Sequence, residues 1–197
     1  MFDDVHRDTR KLLQWDSVAE YSTTNLVTGR RVAEVLGRFG SHCVDATACV
    51  GGLTRVLSET FEKVTAIELD HHRFDKLVNN MKVLQCTNVE CIHGDCVTLC
   101  PVTDVIILDP PWGGRGYKRH ECVELSMNGL SIDAICDSLA SRSKFIALKV
   151  PVNFHESSFS PTKCFIHQKL FFEKMNILIL KTCFRVTCES DSDSDSS

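Results

Sequence analysis

No apolar run of about 18 residues occurs in this 197-residue sequence, so nothing in it reads as a membrane-spanning helix. Its opening stretch, MFDDVHRDTRKLLQW, is charged throughout and lacks the apolar core of a secretory leader. A reducing intracellular compartment, nucleus or cytoplasm, is therefore expected, with no membrane partner. No Gly-x-Gly-x-x-Gly turn follows a strand and no Gly-Lys-Ser/Thr closes a glycine loop, which removes the dinucleotide fingerprint and the P-loop. The eleven cysteines are an odd number, so they do not make a complete disulfide framework. Cys86, Cys91, Cys96 and Cys100 contain no C-x-x-C pair, and buried, soft apolar thiols are expected there in place of a zinc site. Tryptophan, tyrosine and proline are scarce: two tryptophans, two tyrosines, five prolines. Against that scarcity, two prolines and a tryptophan stand side by side in ILDPPWGGRGYK, residues 107–118.

What is present is ordinary in bulk. Hydrophobic residues make up 43% and charged residues 24%, as in a soluble globular protein of one domain with a sizeable core. The net charge of −4 is carried entirely by Glu189, Asp191, Asp193 and Asp195, which leaves the rest of the chain formally neutral. Residues 189–197, ESDSDSDSS, have no hydrophobic residue and read as a disordered acidic tail. That tail is either a solubilising extension or a target for acidophilic kinases, since Ser190 and Ser192 each have Asp three residues downstream.

Between the ends, helical and strand patterns alternate. The spacing predicts helices at 29–39, 52–60, 71–85 and 131–141. It predicts strands at 42–46, 63–69, 88–93, 103–109, 143–150, 163–172 and 176–187, with a loop of about 20 residues after the fourth. Such alternation calls for an α/β fold with a mostly parallel sheet and helices on both faces. The last two strands are joined only by Glu173, Lys174 and Met175, which permits a hairpin and forbids a parallel crossover. A Rossmann-like sheet finished by an antiparallel hairpin is the expected architecture, occupying 29–188 after an N-terminal segment, 1–28.

Four strand ends line up as chemistry. HCVDATACVGGLT places Asp45 at a strand end, then Gly51 and Gly52, where backbone can approach a ligand at a helix start. VTAIELD ends in Glu68, suited to a pair of ribose hydroxyls. VECIHGD ends in Asp95, suited to an adenine amine, and TDVIILD ends in Asp109. A rim of four carboxylates suits a phosphate poorly. It suits a cofactor with a positive centre, hydroxyls and an exocyclic amine, and S-adenosylmethionine has all three. Leu69 and Cys96, beside these acids, are counted in the same cofactor set.

The Asp109 carboxylate and the Pro110 carbonyl can both accept from a planar amine, keeping its lone pair aimed outward. Two prolines make a rigid shelf, and Trp112 offers a π-face to a base. DPPWGG with a tyrosine soon after resembles trimethylguanosine synthase, the family that methylates the 2-amino group of 7-methylguanosine caps on RNA. LVTGRRVAEVL is similar to that family's Val-Thr-Pro helix start, which implies Thr28 at an N-cap beside the cofactor. VDATACVGGLT resembles its Asp-x-Phe-Cys-Gly-x-Gly-Gly turn. VTAIELD with Asn79 and Asn80 resembles its ribose-binding strand and helix, and KVPVNF its Leu-Pro-Arg-Asn segment.

The resemblance covers about residues 20–187. It implies a class I methyltransferase fold, S-adenosylmethionine held by Thr28, Asp45, Thr47, Gly51, Gly52, Glu68, Leu69, Asp95, Cys96 and Asp109, and catalysis at Asp109, Pro110 and Trp112. It also implies a monomer acting on capped RNA. Trp112 stacks the base with Tyr117 or Tyr21 as a second wall; Arg115, Lys118, Lys149 and Asn153 reach cap phosphates or ribose. The chain departs from the family pattern at Thr47 (an aromatic), Cys49 (a glycine), Asp109 (often Ser) and Val152 (an arginine).

Residues 1–28 either cover the cap site, as the family's N-terminal extension does, or form a packed terminus. Two other readings stand beside cap methylation: an N-methyltransferase for guanine or adenine in rRNA, tRNA or DNA, and a catalytically silent cap- or RNA-binding protein.

Overall fold

A computed structural model describes residues 2, 4–17, 19 and 24–184. After a single turn, α1 (Arg7–Arg10), come α2 (Leu26–Leu36), β1 (His42–Asp45), α3 (Gly52–Ser58), β2 (Lys63–Glu68), α4 (His71–Val83), β3 (Val89–His93), α5 (Cys96–Leu99) and β4 (Thr103–Leu108). The second half holds a 3-10 segment (Gly114–Arg119), a small hairpin of β5 (Ser126–Met127) and β6 (Leu130–Ser131), α6 (Ile132–Leu139), β7 (Ser143–Pro151), β8 (Cys164–Phe171) and β9 (Met175–Thr182).

Seven strands form one sheet in the order β3-β2-β1-β4-β7-β9-β8. The first five of these are mutually parallel, and β9 runs antiparallel between β7 and β8. This is the Rossmann-like class I fold expected from the alternation. The sheet order reverses between β1 and β4, so the switch point where such sheets bind ligands lies at their carboxyl ends.

Alternation along the central strands divides the core into two layers. On one face Ile106, Leu108, Ile146, Leu148, Leu178 and Leu180 pack under Ile132, Ile135, Cys136 and Leu139, from α6 and the residues that start it. On the other, Val105, Ile107, Ala147, Ile177 and Ile179 pack under Val32, Ala33 and Leu36 of α2 and Val56 and Leu57 of α3. β4 and β7 are nearly continuous apolar runs because both of their faces are covered. Truncating Ile135 or Leu148, each fully buried, removes about 2–5 kcal/mol of stability.

Differences from the sequence reading are local. The helix expected at 29–39 begins at Leu26, because Asn25 is the N-cap and its side chain accepts the Thr28 N–H at 2.9 Å. Thr28 is thus inside the first turn and is not the cap. The helix expected to reach 85 ends at Val83, with Gln85 at φ +57°. The fourth strand stops at Leu108, leaving Asp109 outside the ladder, and the last stops at Thr182; residues 185–187 of that expected strand lie outside the described residues. Besides α1 and short 3-10 segments, two elements were missed. One is α5, a single turn capped by Asp95. The other is the β5–β6 hairpin, whose Asn128-Gly129 turn has both φ angles positive (53° and 79°), an Asn-Gly signal that was visible in the sequence.

Candidate active site

The carboxyl rim is assembled from both sides of the switch point. At β1, Asp45 is 3% exposed and accepts the Thr54 hydroxyl from α3 at 2.7 Å. Burial pushes its carboxyl up to about 6; the Thr54 and Thr47 hydrogen bonds oppose the rise, and the nearby Asp109 and Glu68 charges add to it. At β2, Glu68 accepts the Cys49 N–H (2.8 Å) with one oxygen and the Asp70 N–H (2.9 Å) with the other. It thereby pins the β1–α3 turn, where Cys49 sits at φ +51°, a left-handed conformation that costs a non-glycine residue about 1–2 kcal/mol. Asp95 caps α5 through the Val97 N–H at 3.0 Å. Leu69 is exposed on the rim, whereas Cys96 is buried in the core, its thiol pushed up to about 12 by burial.

Gly51 has φ +89°, and a Cβ there would come within 2.4 Å of Met81 Cε, so α4 packs against this turn as closely as glycine allows. Gly52 opens α3. Asn80, fully buried, donates to Val50 O and to Gln14 O and accepts the Gln14 N–H, tying the N-terminal segment to the same turn. Asn79 adds a bond to Leu12 O, and Asp4 grips Arg55 of α3 through two 2.7 Å bonds. Sequence reasoning had marked Asn79 and Asn80 only by resemblance; their role as a clamp on residues 12–14 depends on contacts 66 to 67 positions apart.

On the other side of the switch point the contacts run between strands. Leu108 is in register with Leu148, so the next residues along, Asp109 and Lys149, end side by side. Lys149 Nζ lies 2.5 Å from Asp109 Oδ2, with side chains 5% and 23% exposed. Burial raises the Asp109 carboxyl above its ordinary value and the Lys149 ammonium opposes that rise. The Asp109 N–H donates to Thr47 Oγ1 at 2.8 Å, a direct link from the β1 turn to the Asp-Pro-Pro-Trp shelf.

The Lys149 ammonium also lies 5.2 Å from the centre of the Trp112 ring. Trp112 is half-buried against both core layers, and its indole Nε1 is buried with no hydrogen-bond partner among the described residues. Tyr117 meets it edge-on at 5.3 Å and 82°, so the two rings do not form parallel walls. Gly113 and Gly114 face open space, and Lys118 has its ammonium 5.9 Å from the Tyr117 ring. Arg115 lies on the same 3-10 segment, and Tyr21 lies outside the described residues.

Two expected substrate contacts, Lys149 and Asn153, also make contacts within the protein. Lys149 is buried and turned onto Asp109. Asn153 spends its amide nitrogen on Tyr117 O (3.0 Å) and His120 O (2.8 Å), holding the 3-10 segment against the end of β7, while its Oδ1 is buried without a partner among the described residues. The Asp109–Lys149 pair itself was not anticipated, because only strand register brings positions 40 apart together.

Residues 40–185 match a family described as RNA cap guanine-N2 methyltransferase. The chain belongs to that family. The trimethylguanosine synthase resemblance agrees with that membership. An uncharacterized protein, L320, of Acanthamoeba polyphaga mimivirus is 33% identical over 145 residues, covering 70% of this chain and 57% of that protein. This member therefore spans little more than half the length of that relative.

Solved structures share the fold. The Escherichia coli protein yhhF, described as a methyltransferase, superposes with TM-score 0.60 at 17% identity over 86% of this chain and 90% of its own. A Pyrococcus horikoshii protein described as an RNA methyltransferase gives 0.60 at 15% identity over 87% and 88%. A Listeria monocytogenes protein described as a class I S-adenosylmethionine-dependent methyltransferase gives 0.61 at 17% identity, over 84% and 62%. Among the described residues, no helix is long and apolar enough to cross a membrane.

Proposed function

We propose that this family member transfers a methyl group from S-adenosylmethionine to the exocyclic 2-amino group of a 7-methylguanosine cap on RNA. The observation that carries this reading is the Asp109-Pro110-Pro111-Trp112 shelf: a partly buried carboxylate, a rigid proline pair and a half-buried indole follow one another just beyond β4, beside the sheet's switch point.

The rim fits the cofactor by the chemistry of its donor set. Asp45, Glu68 and Asp95 each keep acceptor capacity beyond the bonds that position them, which suits an ammonium, ribose hydroxyls and an adenine amine. Bound there, S-adenosylmethionine supplies a methyl carbon made electrophilic by the adjacent sulfonium.

The chain's own residues do the rest by positioning. Asp109 and the Pro110 carbonyl accept the two amine hydrogens, leaving the nitrogen lone pair directed at the incoming carbon. Trp112 stacks the base and excludes water from one side. Methyl transfer would leave the product nitrogen cationic, and its surplus proton would pass to carboxylate or water. No strong base is required, so orientation and fixed charge supply the rate.

The test is transfer of labelled methyl from S-adenosylmethionine to 7-methyl-GTP and, in parallel, to GTP and to uncapped structured RNA. Transfer to 7-methyl-GTP, reduced about 100-fold in kcat/KM by Trp112→Ala, is the expected result, since one lost base–aromatic stack is worth about 1–3 kcal/mol. Transfer to uncapped RNA alone would replace the cap with a structural-RNA guanine or adenine.

A further inference from the structure

Lys149 has no place in the proposed amine chemistry, yet it is the most buried cation beside it. Its ammonium is 2.5 Å from the carboxylate that faces the amine and 5.2 Å from the ring that faces the base. A lysine is held at 5% exposure only where a carboxylate and an aromatic face both answer its charge. The same two groups, Asp109 and Trp112, are the ones that would answer the charge of a 7-methylated guanine.

We infer that Lys149 is a specificity-determining residue: by pairing with Asp109 over Trp112 it makes the base pocket electrically neutral, so that selection between cationic 7-methylguanine and neutral guanine rests on shape and not on charge.

The argument rests on the guanine reading given above. A carboxylate alone beside the amine would attract a cationic base and leave a neutral one unaffected. An ammonium at ion-pair distance from that carboxylate offsets much of the attraction, because the field of a paired plus and minus charge falls off faster than that of the carboxylate alone. The indole face is served at the same time: its quadrupole already carries one cation, and a second cation stacked on it would meet the first one's repulsion. Other charges facing the pair do not replace Lys149. Asp45, on β1, adds negative charge but is assigned above to the cationic cofactor, and Lys118 is exposed, where water and salt screen it.

A charge series tests this. Binding of 7-methyl-GTP and of GTP is followed by quenching of Trp112 fluorescence in a Trp15→Phe background with S-adenosylhomocysteine present, and the ratio of the two affinities is read. Lys149→Met leaves a net negative pocket, and the preference for 7-methyl-GTP rises about tenfold. Asp109→Asn leaves a net positive pocket, and the preference falls about tenfold. The double variant Asp109→Asn/Lys149→Met is neutral again and returns to within about threefold of the parent, as does Lys149→Arg. A structural lesion would weaken both nucleotides alike and leave the ratio flat. If Lys149→Met does not fold, Asp109→Asn and the double variant still give two points of the series. A flat ratio across the folded variants, with the parent binding guanine nucleotides, overturns this inference alone. A parent that binds neither nucleotide overturns the guanine reading, and this inference with it.

Discussion

The two halves of the carboxyl rim are built by different means. Around β1, β2 and β3, each acid is fixed by a donor near it in the chain or across one parallel pair: Thr54 for Asp45, the Cys49 and Asp70 N–H groups for Glu68, Val97 for Asp95. Around β4 and β7, the contacts join segments 30 to 40 residues apart: Lys149 with Asp109, Asn153 with the carbonyls of Tyr117 and His120. Among the described residues, buried polar atoms without partners are found in this second half, at Trp112 Nε1 and Asn153 Oδ1. A satisfied half that holds its shape, next to an unsatisfied half that waits for hydrogen-bonding groups, is the division expected between a cofactor cradle and a substrate pocket.

The sharpest way to break the comparison is at Asp45. Its carboxyl, near 6 in the fold against an ordinary value of 3.8, is ionised at neutral pH at the expense of stability. Because the folded-state value is raised, the cost is absent below about pH 4, develops between about pH 4 and 6, and is constant above. Asp45→Asn keeps an acceptor for Thr54 and escapes that cost. It is expected to lower S-adenosylmethionine affinity at least 30-fold while raising unfolding free energy by about 2–3 kcal/mol at pH 7.5 and by almost nothing at pH 4. Calorimetric binding and melts at the two pH values check both parts. A loss of stability at neutral pH would mean that Asp45 is a structural acid and that the cradle is read wrongly.

Next in size is Asn153→Ala, which releases the 3-10 segment from β7. Two lost hydrogen bonds loosen the segment that carries Tyr117, so KM for the guanine substrate is expected to rise about tenfold. S-adenosylmethionine affinity should stay within about twofold of the parent, because no bond of the β1–β3 half involves Asn153. If cofactor affinity fell in step with KM, the halves would be one coupled unit and the comparison would fail.

The same division explains what was legible in the sequence. Parallel strands with alternating helices, the closing hairpin, and the four strand-end acids could be read from apolar runs, from a three-residue link and from residue spacing. These are consequences of local pattern. Thr28 was misplaced because Asn25, three residues earlier, is the better cap, and cap choice turns on backbone geometry that spacing does not contain. Lys149 and Asn153 are expected from the resemblance to reach cap phosphates or ribose, and their contacts within the protein were not foreseen. Register with β4 turns one inward onto Asp109, and the loop carbonyls of Tyr117 and His120 claim the other. Cross-strand neighbours 40 positions apart leave no signature in either strand alone.

The smallest effect lies within the β1–α3 turn and asks how rigid the satisfied half is. Cys49 stands at φ +51°, held there by its N–H bond to Glu68. Glycine adopts that conformation without the steric penalty of a Cβ, so Cys49→Gly relieves about 1–2 kcal/mol of strain. Greater freedom of the unfolded chain returns about 0.5–1 kcal/mol of that. A net gain of about 0.5–1 kcal/mol is expected, seen as a rise of roughly 1–4 °C in melting temperature for a chain of this size. S-adenosylmethionine affinity should be unchanged, because the Cys49 N–H and its bond to Glu68 survive the substitution. A gain in stability accompanied by weaker cofactor binding would show instead that the strained cysteine preorganises the turn, with the left-handed backbone kept under tension so that Glu68 faces the ribose in one orientation.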